Sequence, residues 1–201
     1  AAKYLSDAKF PVILSGAGVV IGNAIQETKQ LAEKLDSPVC SGYQHNDSFP
    51  GSHPLAVGPL GYNGSKAAME LISKADVVLA LGTRLNPFST LPGYGIDYWP
   101  KNAKIIQVDI NPDRIGLTKK VTVGISGDAK LVAIQLLEKL SSNAGDLNRE
   151  ERKNIIHQKK SAWLQTLTSL DHEDDDPGTV WNKEARERDK DRMSPRQAWR
   201  A

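Results

Sequence analysis

The sequence predicts an α/β fold in which a doubly wound parallel sheet over residues 1–140 is followed by a helical and charged extension over 141–201. Three observations lead to this prediction. Short runs of Val, Ile and Leu alternate with longer stretches of helical periodicity, which is the pattern of strand–helix–strand units. The strand candidates are continuously apolar, so helices should cover both faces of the sheet. Crossovers of this length are right-handed and join parallel strands.

The first part of the predicted domain contains two strands and one helix. A strand over 12–14 runs into the glycine pair Gly16 and Gly18. Residues 23–35 carry apolar side chains at helical spacing, which predicts an amphipathic helix. Residues 38–40 follow as a second short strand.

The second part of the domain is predicted to contain two helices and three strands. One helix covers 65–74, with Ser65 or Asn63 as its N-cap. The other covers 129–140 and follows Asp128, whose carboxylate is suited to cap the free amides of the first turn. The three strands are predicted over 77–81, 105–108 and 121–125.

Charge density divides the chain near Ser141. Residues 1–140 contain 26 charged side chains, whereas the 61 residues that follow contain 24. The first part can therefore build an apolar core and the second mostly cannot. An apolar stripe predicts one long helix over 148–170 that needs a surface to pack against. Residues 171–196, including the acidic run 173–176, are expected to form an exposed, solvated linker.

Composition bears on compartment and on partners. The net charge of +2 is spread over interspersed signs, which disfavours nucleic acid as a partner. A single cysteine, Cys40, rules out an internal disulfide, fits a reducing cytoplasm, and is expected in the core rather than as a nucleophile. No apolar run approaches the roughly 20 residues that span a bilayer. We expect a soluble, cytoplasmic protein that begins within a longer one, since Ala1 stands where a start would have methionine.

The segment from Ser15 to Gly22 is the best candidate for a phosphate-binding loop. Glycines after a first strand let the backbone approach a pyrophosphate, and the next helix offers free amides. The G-x-G-x-x-G spacing fails, because the third glycine falls one residue late, and Ser41 stands where an acidic residue is expected. A standard NAD site is disfavoured. A tight strand-to-helix turn and a different mode of nucleotide binding both remain open.

Polar residues after other strands are further candidates for ligand contact. Arg84, after Gly82, could hold a phosphate through two parallel hydrogen bonds or could pair with a neighbouring loop. Asp109 could accept from a ribose hydroxyl or could anchor the turn that follows it. Asp128 could contact a ligand, although helix capping explains it more simply.

Two connections are unusually long and rich in Gly, Pro and aromatic residues, over 42–64 and 83–103. Loops of this length in a compact domain are usually functional or disordered, and their composition favours order. Both follow the carboxyl end of a strand, which is where ligands bind in open α/β sheets.

No catalytic or metal-binding set stands out. His45, His53 and Asp47 share one loop, but their spacing gives no reason for them to converge on a metal. We therefore predict a place to bind a ligand, with no catalytic residues and no metal ligands in this chain.

Four segments together resemble the central domain of thiamine-diphosphate-dependent enzymes such as acetohydroxyacid synthase. The resemblance covers residues 8–140, and the four segments are 61–68, 75–84, 105–112 with 115–116, and 127–130. It implies thiamine diphosphate and Mg²⁺ as cofactors of a larger enzyme. The family's activating glutamate belongs to the preceding domain. Its G-D-G motif belongs to the following, pyrophosphate-binding domain, and residues 193–197 resemble the segment that leads into that domain. Gly127 and Asp128 are followed by Ala129, so that motif is missing here.

Some members of this family bind FAD or ADP in the central domain, and others keep the fold with an empty cleft. The resemblance therefore implies a nucleotide cleft without implying that it is occupied. It also implies a homo-oligomeric parent, either a dimer or a tetramer. The positions that match the nucleotide-binding ones are Gly16, Gly18, Gly82, Arg84, Asp109 and Asp128.

Within the family, residues 42–54 and 85–95 look most like acyltransferases that convert sulfoacetaldehyde and phosphate into acetyl phosphate and sulfite during the breakdown of taurine-type sulfonates. This implies a parent acyltransferase and an isolated chain without activity. Alternatives are another carboligase related to acetohydroxyacid synthase, a stand-alone nucleotide-binding module, or an interaction scaffold that uses the stripe over 155–170.

Overall fold

The computed structural model describes residues 1–172 of the chain. All paired strands run parallel in one sheet, whose order is β3-β2-β1-β4-β5-β6. This is the doubly wound arrangement, in which the direction of winding reverses between β1 and β4. The predicted fold class is therefore confirmed. The strands are β1 (Pro11–Ser15), β2 (Val39–Ser41), β3 (Ala56–Pro59), β4 (Val77–Leu81), β5 (Lys104–Asp109) and β6 (Val123–Ser126).

Apolar layers cover both faces of the sheet. Within β1, Ile13 packs in the layer on one face, whereas Val12 and Leu14 pack in the layer on the other. Because consecutive strand residues point to opposite faces, a strand covered on both sides must be apolar throughout. This explains the uninterrupted Val, Ile and Leu runs. The helices are α1 (Ala2–Ser6), α2 (Ala17–Ile21), α3 (Ile25–Leu35), α4 (Lys66–Ile72), α5 (Ala129–Lys139) and α6 (Arg149–His172).

Two predicted segments differ from the structure. The predicted connection over 42–64 contains the edge strand β3, which the sequence pattern missed because its Ala-Val-Gly-Pro sequence is short and lacks a run of β-branched residues. The helix predicted to begin at residue 23 is preceded by the short helix α2. The two helices are separated at Asn23, whose φ of 50° lies in the left-handed region.

Both helix caps that the sequence predicts are present. The hydroxyl of Ser65 accepts from the amide of Ala68 at 3.2 Å, so Ser65 rather than Asn63 caps α4. The carboxylate of Asp128 accepts from the amides of Lys130 and Leu131 at 2.9 and 3.0 Å. Each cap satisfies amides that the first helical turn leaves without partners.

The buried guanidinium of Arg152 joins the start of α6 to the sheet domain. All five of its N–H groups donate to backbone carbonyl oxygens. Two of these oxygens lie at the C-terminus of α3, where helical carbonyls lack partners within the helix. Burial lowers the pKa of this guanidinium, and the charge of Asp36 acts against that shift. The acceptors belong to Lys9, Leu35, Asp36, Gly145 and Leu147.

Residues 1–160 form one compact unit, and the described residues that follow, 161–172, belong to a second. In the first unit, Ile156 of α6 is buried in a core layer. In the second, Leu164 is exposed. The domain boundary predicted near Ser141 stays a prediction. The part of the predicted linker beyond residue 172 lies outside the residues that the structure describes. None of the helices in the described part of the chain is long and apolar enough to cross a membrane.

Candidate functional site

A cleft of about 370 Å³ opens at the carboxyl edge of the sheet, above the point between β1 and β4 where the winding reverses. Loops that follow β1, β2, β4 and β5 line it. Clefts at this position are the usual ligand sites of open α/β sheets, because the first loops of oppositely wound halves diverge there. The residues used below that line it are Gly16, His45, Gly82, Arg84, Asp109 and Arg114.

The floor of the cleft is a close contact between two glycine turns. The amide of Gly18 donates to the carbonyl of Gly82 at 2.8 Å, and that of Gly16 donates to Leu81 at 3.1 Å. A Cβ added to Gly18 would lie 2.7 Å from Cα of Gly82, whose φ is +61°. Backbone approach and left-handed geometry both require glycine here. A tight strand-to-helix turn thus explains these glycines, and two of their amides are already bonded within the protein.

Two arginines line the cleft from different loops. Arg84 follows β4 and Arg114 follows β5, and both are exposed. Neither forms an ion pair with any residue from 1 to 172, so the proposed pairing of Arg84 with a neighbouring loop is not seen there. Two guanidinium groups at one cleft favour an anionic ligand, because each presents a planar fork of N–H donors that matches phosphate or carboxylate oxygens.

A buried glutamine positions the two arginine loops. Gln107, in the middle of β5, is 1% exposed. Its amide nitrogen donates to the carbonyls of Thr83 and Arg114 at 3.1 and 3.2 Å, and its amide oxygen accepts from Gly116 at 2.9 Å. A buried polar side chain is favourable only when its hydrogen bonds are made. This role was not predicted, although a polar residue inside the Ile-Ile-Gln-Val run was a signal for it.

Asp109 anchors the turn after β5 and also lines the cleft. Its Oδ1 accepts from the amide of Asn111 at 2.9 Å, and the side chain of Asn111 accepts from Asp113 at 2.9 Å. This Asx geometry confirms that Asp109 anchors the turn. A hydrogen bond from Asp109 to a ribose hydroxyl stays a prediction.

The structure brings four of the six predicted nucleotide contacts to the cleft. Gly16, Gly82, Arg84 and Asp109 line it. Gly18 and Asp128 are not among its lining residues, because Gly18 packs behind the turn and Asp128 caps α5. Arg114 was missed, since 30 positions separate it from Arg84 and only the adjacency of β4 and β5 brings them together.

The histidines of the 42–64 segment have different partners. His45 lines the cleft, and its Nδ1 lies 3.7 Å from Oδ1 of Asp47. The Nε2 of His53 donates to the carboxylate of Glu33 at 3.2 Å, because its Nδ1 accepts from the amide of Leu55. Within residues 1–172 no group of three or more His, Cys, Asp or Glu side chains could hold a metal ion.

Cys40 lies in β2 and is completely buried, as the apolar character of its strand predicts. Burial raises the pKa of its thiol far above the ordinary value. Because the thiolate is the nucleophilic form, a thiol that stays protonated is unreactive. The structure gives Cys40 a place in the core.

The chain matches the model of one known protein family. Residues 1–138 match the family model described as "Thiamine pyrophosphate enzyme, central domain". A solved structure of a candidate thiamin diphosphate-dependent enzyme from Mycobacterium smegmatis is similar to 70% of this chain and 27% of its own, with a TM-score of 0.57 and 26% identity.

Comparison with curated proteins finds relatives that are much longer than this chain. A probable sulfoacetaldehyde acetyltransferase of Rhizobium meliloti (strain 1021) is 80% identical over 201 residues, which is 100% of this chain and 34% of that protein. A sulfoacetaldehyde acetyltransferase of Roseovarius nubinhibens is 74% identical over the same length, 33% of that protein. A probable acetolactate synthase large subunit of Methanocaldococcus jannaschii is 41% identical over 140 residues, 70% of this chain and 23% of that protein. The chain spans about a third of the length of the first two relatives.

Proposed function

The chain belongs to the thiamine pyrophosphate enzyme family as its central domain, and from this premise we propose that it is part of a sulfoacetaldehyde acetyltransferase. The observation that supports this specific activity is the identity of 80% and 74% along all 201 residues to proteins of that name. Identity to acetolactate synthases is lower and spans less of the chain. Acetolactate synthase activity is therefore the weaker candidate.

The proposed reaction joins sulfoacetaldehyde and phosphate and yields acetyl phosphate and sulfite. The carbon–sulfur bond breaks and sulfite leaves with its electron pair. The aldehyde carbon loses its hydrogen as a proton, the neighbouring carbon gains a proton and becomes the methyl group, and a phosphate oxygen forms the new bond to the acyl carbon. One carbon is oxidised and its neighbour is reduced within the same molecule, so no external oxidant or reductant is needed. Thiamine diphosphate would supply the electron sink for the carbanion-like carbon. Breakdown of taurine-type sulfonates is the metabolic setting that this chemistry suits.

The described residues do not fit a thiamine diphosphate and Mg²⁺ site. The carboxylate of Asp128 is the nearest match to the family's metal-binding motif, but it is used as the N-cap of α5. Gly127 and Asp128 are followed by Ala129, where the motif has glycine. We therefore assign the cofactor, the metal and all catalytic steps to other parts of the parent protein.

The role proposed for this chain is to provide a rigid domain whose carboxyl edge carries ordered loops. Gln107 and the glycine contact fix the loops after β1, β4 and β5 relative to one another. The parent is further proposed to be cytoplasmic, which the single cysteine in this chain supports. It is also proposed to be a homo-oligomer, a dimer or a tetramer, which the family resemblance supports. Sedimentation of the full-length protein measures the oligomeric state.

The test of the activity uses the full-length parent with thiamine diphosphate, Mg²⁺ and phosphate. We expect sulfoacetaldehyde to yield sulfite and acetyl phosphate in equal amounts, and pyruvate to yield no acetolactate. The matched control is the 201-residue chain under the same conditions, which should show no turnover. Acetolactate formation without sulfite release would favour the carboligase instead. Turnover by the chain alone would contradict the assignment of catalysis to other parts.

A second candidate function is binding of an anionic nucleotide such as FAD or ADP, which the two cleft arginines favour. Calorimetric titration of the full-length protein with ADP, FAD, NAD and coenzyme A tests it. Loss of one charged hydrogen-bonding group costs about 1.5–3 kcal/mol, so R84A or R114A should weaken binding by about tenfold or more. Lys101, exposed and paired with Asp97, offers the control K101A. Absence of binding heat for all four ligands excludes this candidate.

A further inference from the structure

Two neighbouring lysines of α6 differ in their partners. The Nζ of Lys159 forms an ion pair with the carboxylate of Glu70 at 2.7 Å. The Nζ of Lys160 donates instead to two backbone carbonyl oxygens, that of Pro54 at 2.7 Å and that of His53 at 3.3 Å. We infer that Lys160 is a site of acetylation by acyl phosphates. This inference rests on the proposed function, because acetyl phosphate is the proposed product.

The surroundings of Lys160 favour its neutral form. Its half-buried side chain lies between α6 and the turn before β3. Burial takes water away from the ammonium group and thereby lowers the pKa of Lys160. The carbonyl oxygens carry no full negative charge, so they offset this loss of water less than a carboxylate would. The neutral amine is the form that attacks a carbonyl carbon.

The carboxylates on the elements around Lys160 have other partners. On α3, Glu33 accepts from Nε2 of His53 at 3.2 Å and pairs with Lys29 at 3.8 Å. On α4, Glu70 pairs with Lys159. Within residues 1–172, Lys160 forms no ion pair with a carboxylate, which leaves its amine on the two carbonyl oxygens.

The reaction at Lys160 is an acyl transfer that is balanced by itself. The neutral Nζ attacks the carbonyl carbon of acetyl phosphate, and a carbon–nitrogen bond forms. The bond from that carbon to the phosphate oxygen breaks, phosphate leaves with the electron pair, and a proton of the amine passes to solvent. Nothing is oxidised or reduced. The hydrogen bond from Lys160 to Pro54 is exposed, so the reagent can reach the amine from solvent.

Acetylation of Lys160 would weaken the contact between α6 and the turn before β3. An ammonium group has three N–H donors, whereas an acetylated Nζ has one and carries no charge. It can donate to only one of the carbonyl oxygens of His53 and Pro54. The other attachment of α6, through the guanidinium of Arg152, is unchanged. Accumulated product would thus loosen one of the two attachments of this helix.

The experiment incubates the full-length protein with synthetic acetyl phosphate alone, and tandem mass spectrometry follows acetyl-lysine with time. Lys159 is the matched control, because it is the neighbouring residue of the same helix and is also half-buried. The neutral fraction of an amine rises about tenfold when its pKa falls by one. Since a less basic amine is also a weaker nucleophile, we expect acetylation of Lys160 to be about threefold or more faster than that of Lys159.

This preference should belong to the folded protein. In denaturant, the rates at Lys159 and Lys160 should become equal, because both side chains are then in water. Equal rates in the folded protein, or faster acetylation of Lys159, would overturn the inference. A preference that persists unchanged in denaturant would also overturn it, since local sequence would then be its cause.

Glu70→Gln tests whether the ion pair distinguishes the two lysines. The substitution removes the carboxylate from Lys159 and leaves the contacts of Lys160 unchanged. Acetylation of Lys159 should rise by about threefold, whereas that of Lys160 should stay the same. An unchanged rate at Lys159 would contradict the argument. Lys160→Arg keeps the positive charge and cannot form acetyl-lysine, so it should lose the label at this position alone, with its fold checked by circular dichroism.

Labelling during turnover separates this inference from the proposed function. With thiamine diphosphate, Mg²⁺, phosphate and sulfoacetaldehyde, Lys160 should gain the same label, and omission of sulfoacetaldehyde should abolish it. Labelling by added acetyl phosphate without labelling in the turnover mixture would contradict the proposed activity and support the site. Absence of label at Lys160 with added acetyl phosphate would overturn the inference, whatever the activity of the protein.

Discussion

Replacement of Arg152 by methionine tests the clearest energetic feature of the fold. Arg152 is completely buried, and its five N–H groups all donate to backbone carbonyls at the end of α3, before β1 and in the loop before α6. Methionine fills much of the same volume but has no donor. The carbonyl oxygens would then lose these partners in a buried setting.

The expected loss of stability follows from the free-energy cost of each hydrogen bond that is broken. An unsatisfied buried polar group costs about 1–3 kcal/mol, so five separate losses would exceed what single substitutions produce. Two effects reduce the sum: the charged guanidinium is no longer buried, and the loop before α6 can relax toward water. We therefore expect about 3–5 kcal/mol, the upper part of the range for single substitutions, because a buried hydrogen-bond network is broken. For a domain of this size that lowers Tm by about 6–20 °C.

Thermal and urea unfolding followed by tryptophan fluorescence measure this change, and hydrogen exchange locates it. The amides of 149–160 should exchange faster than those of β4 and β5. Arg149, one turn earlier, is the matched control because its side chain is 36% exposed and pairs with Asp36 and Asp146. Arg149→Met should cost no more than about 1 kcal/mol. Equal effects of the two substitutions would refute the account given for Arg152.

Three further predictions concern the glycine contact, a helix cap and the buried thiol. Gly82→Ala should lower the free energy of unfolding in urea by about 1–3 kcal/mol, because the added Cβ would lie 2.8 Å from Gly18. Gly51→Ala should be nearly neutral, because no atom lies within 4 Å of a Cβ added there. Similar losses for the two variants would contradict the close contact. Asp128→Ala should cost about 1 kcal/mol by loss of the α5 cap, and Asp128→Asn should restore most of it. Burial raises the pKa of the Cys40 thiol, so above about pH 8.5 only the unfolded state ionises and stability should fall by about 1.4 kcal/mol per pH unit. That slope should be absent from Cys40→Ala, and a thiol reagent should label Cys40 only after unfolding; rapid labelling of the folded protein would refute it.

The strands and helices were largely predictable because their signals are local. Residues 77–81 form β4 with the bounds that the apolar run predicts. The predicted caps Ser65 and Asp128 are present because a side-chain oxygen at the start of a helix needs only nearby amides. β3 was missed for the converse reason, since its pairing with β2 rather than its own composition makes it a strand.

The candidate site was only partly predictable. Its glycines, Arg84 and Asp109 were found because they follow strands, and the ends of parallel strands meet at one edge. Arg114 and Gln107 were missed because their roles depend on which strands are neighbours. For Gly18 the ligand contact stays a prediction, and what the structure adds is that its amide donates to the carbonyl of Gly82.

The sequence by itself determined the fold class, the family resemblance and the absence of the family's G-D-G motif after Gly127, since periodicity and short motifs are properties of neighbouring residues. Only the tertiary structure decided that Arg84 and Arg114 share a cleft and that Arg152 joins α6 to two distant segments, at Lys9 and at the end of α3. The physical reason is that crossover connections bring together strand ends separated by tens of residues. No local pattern records those distances.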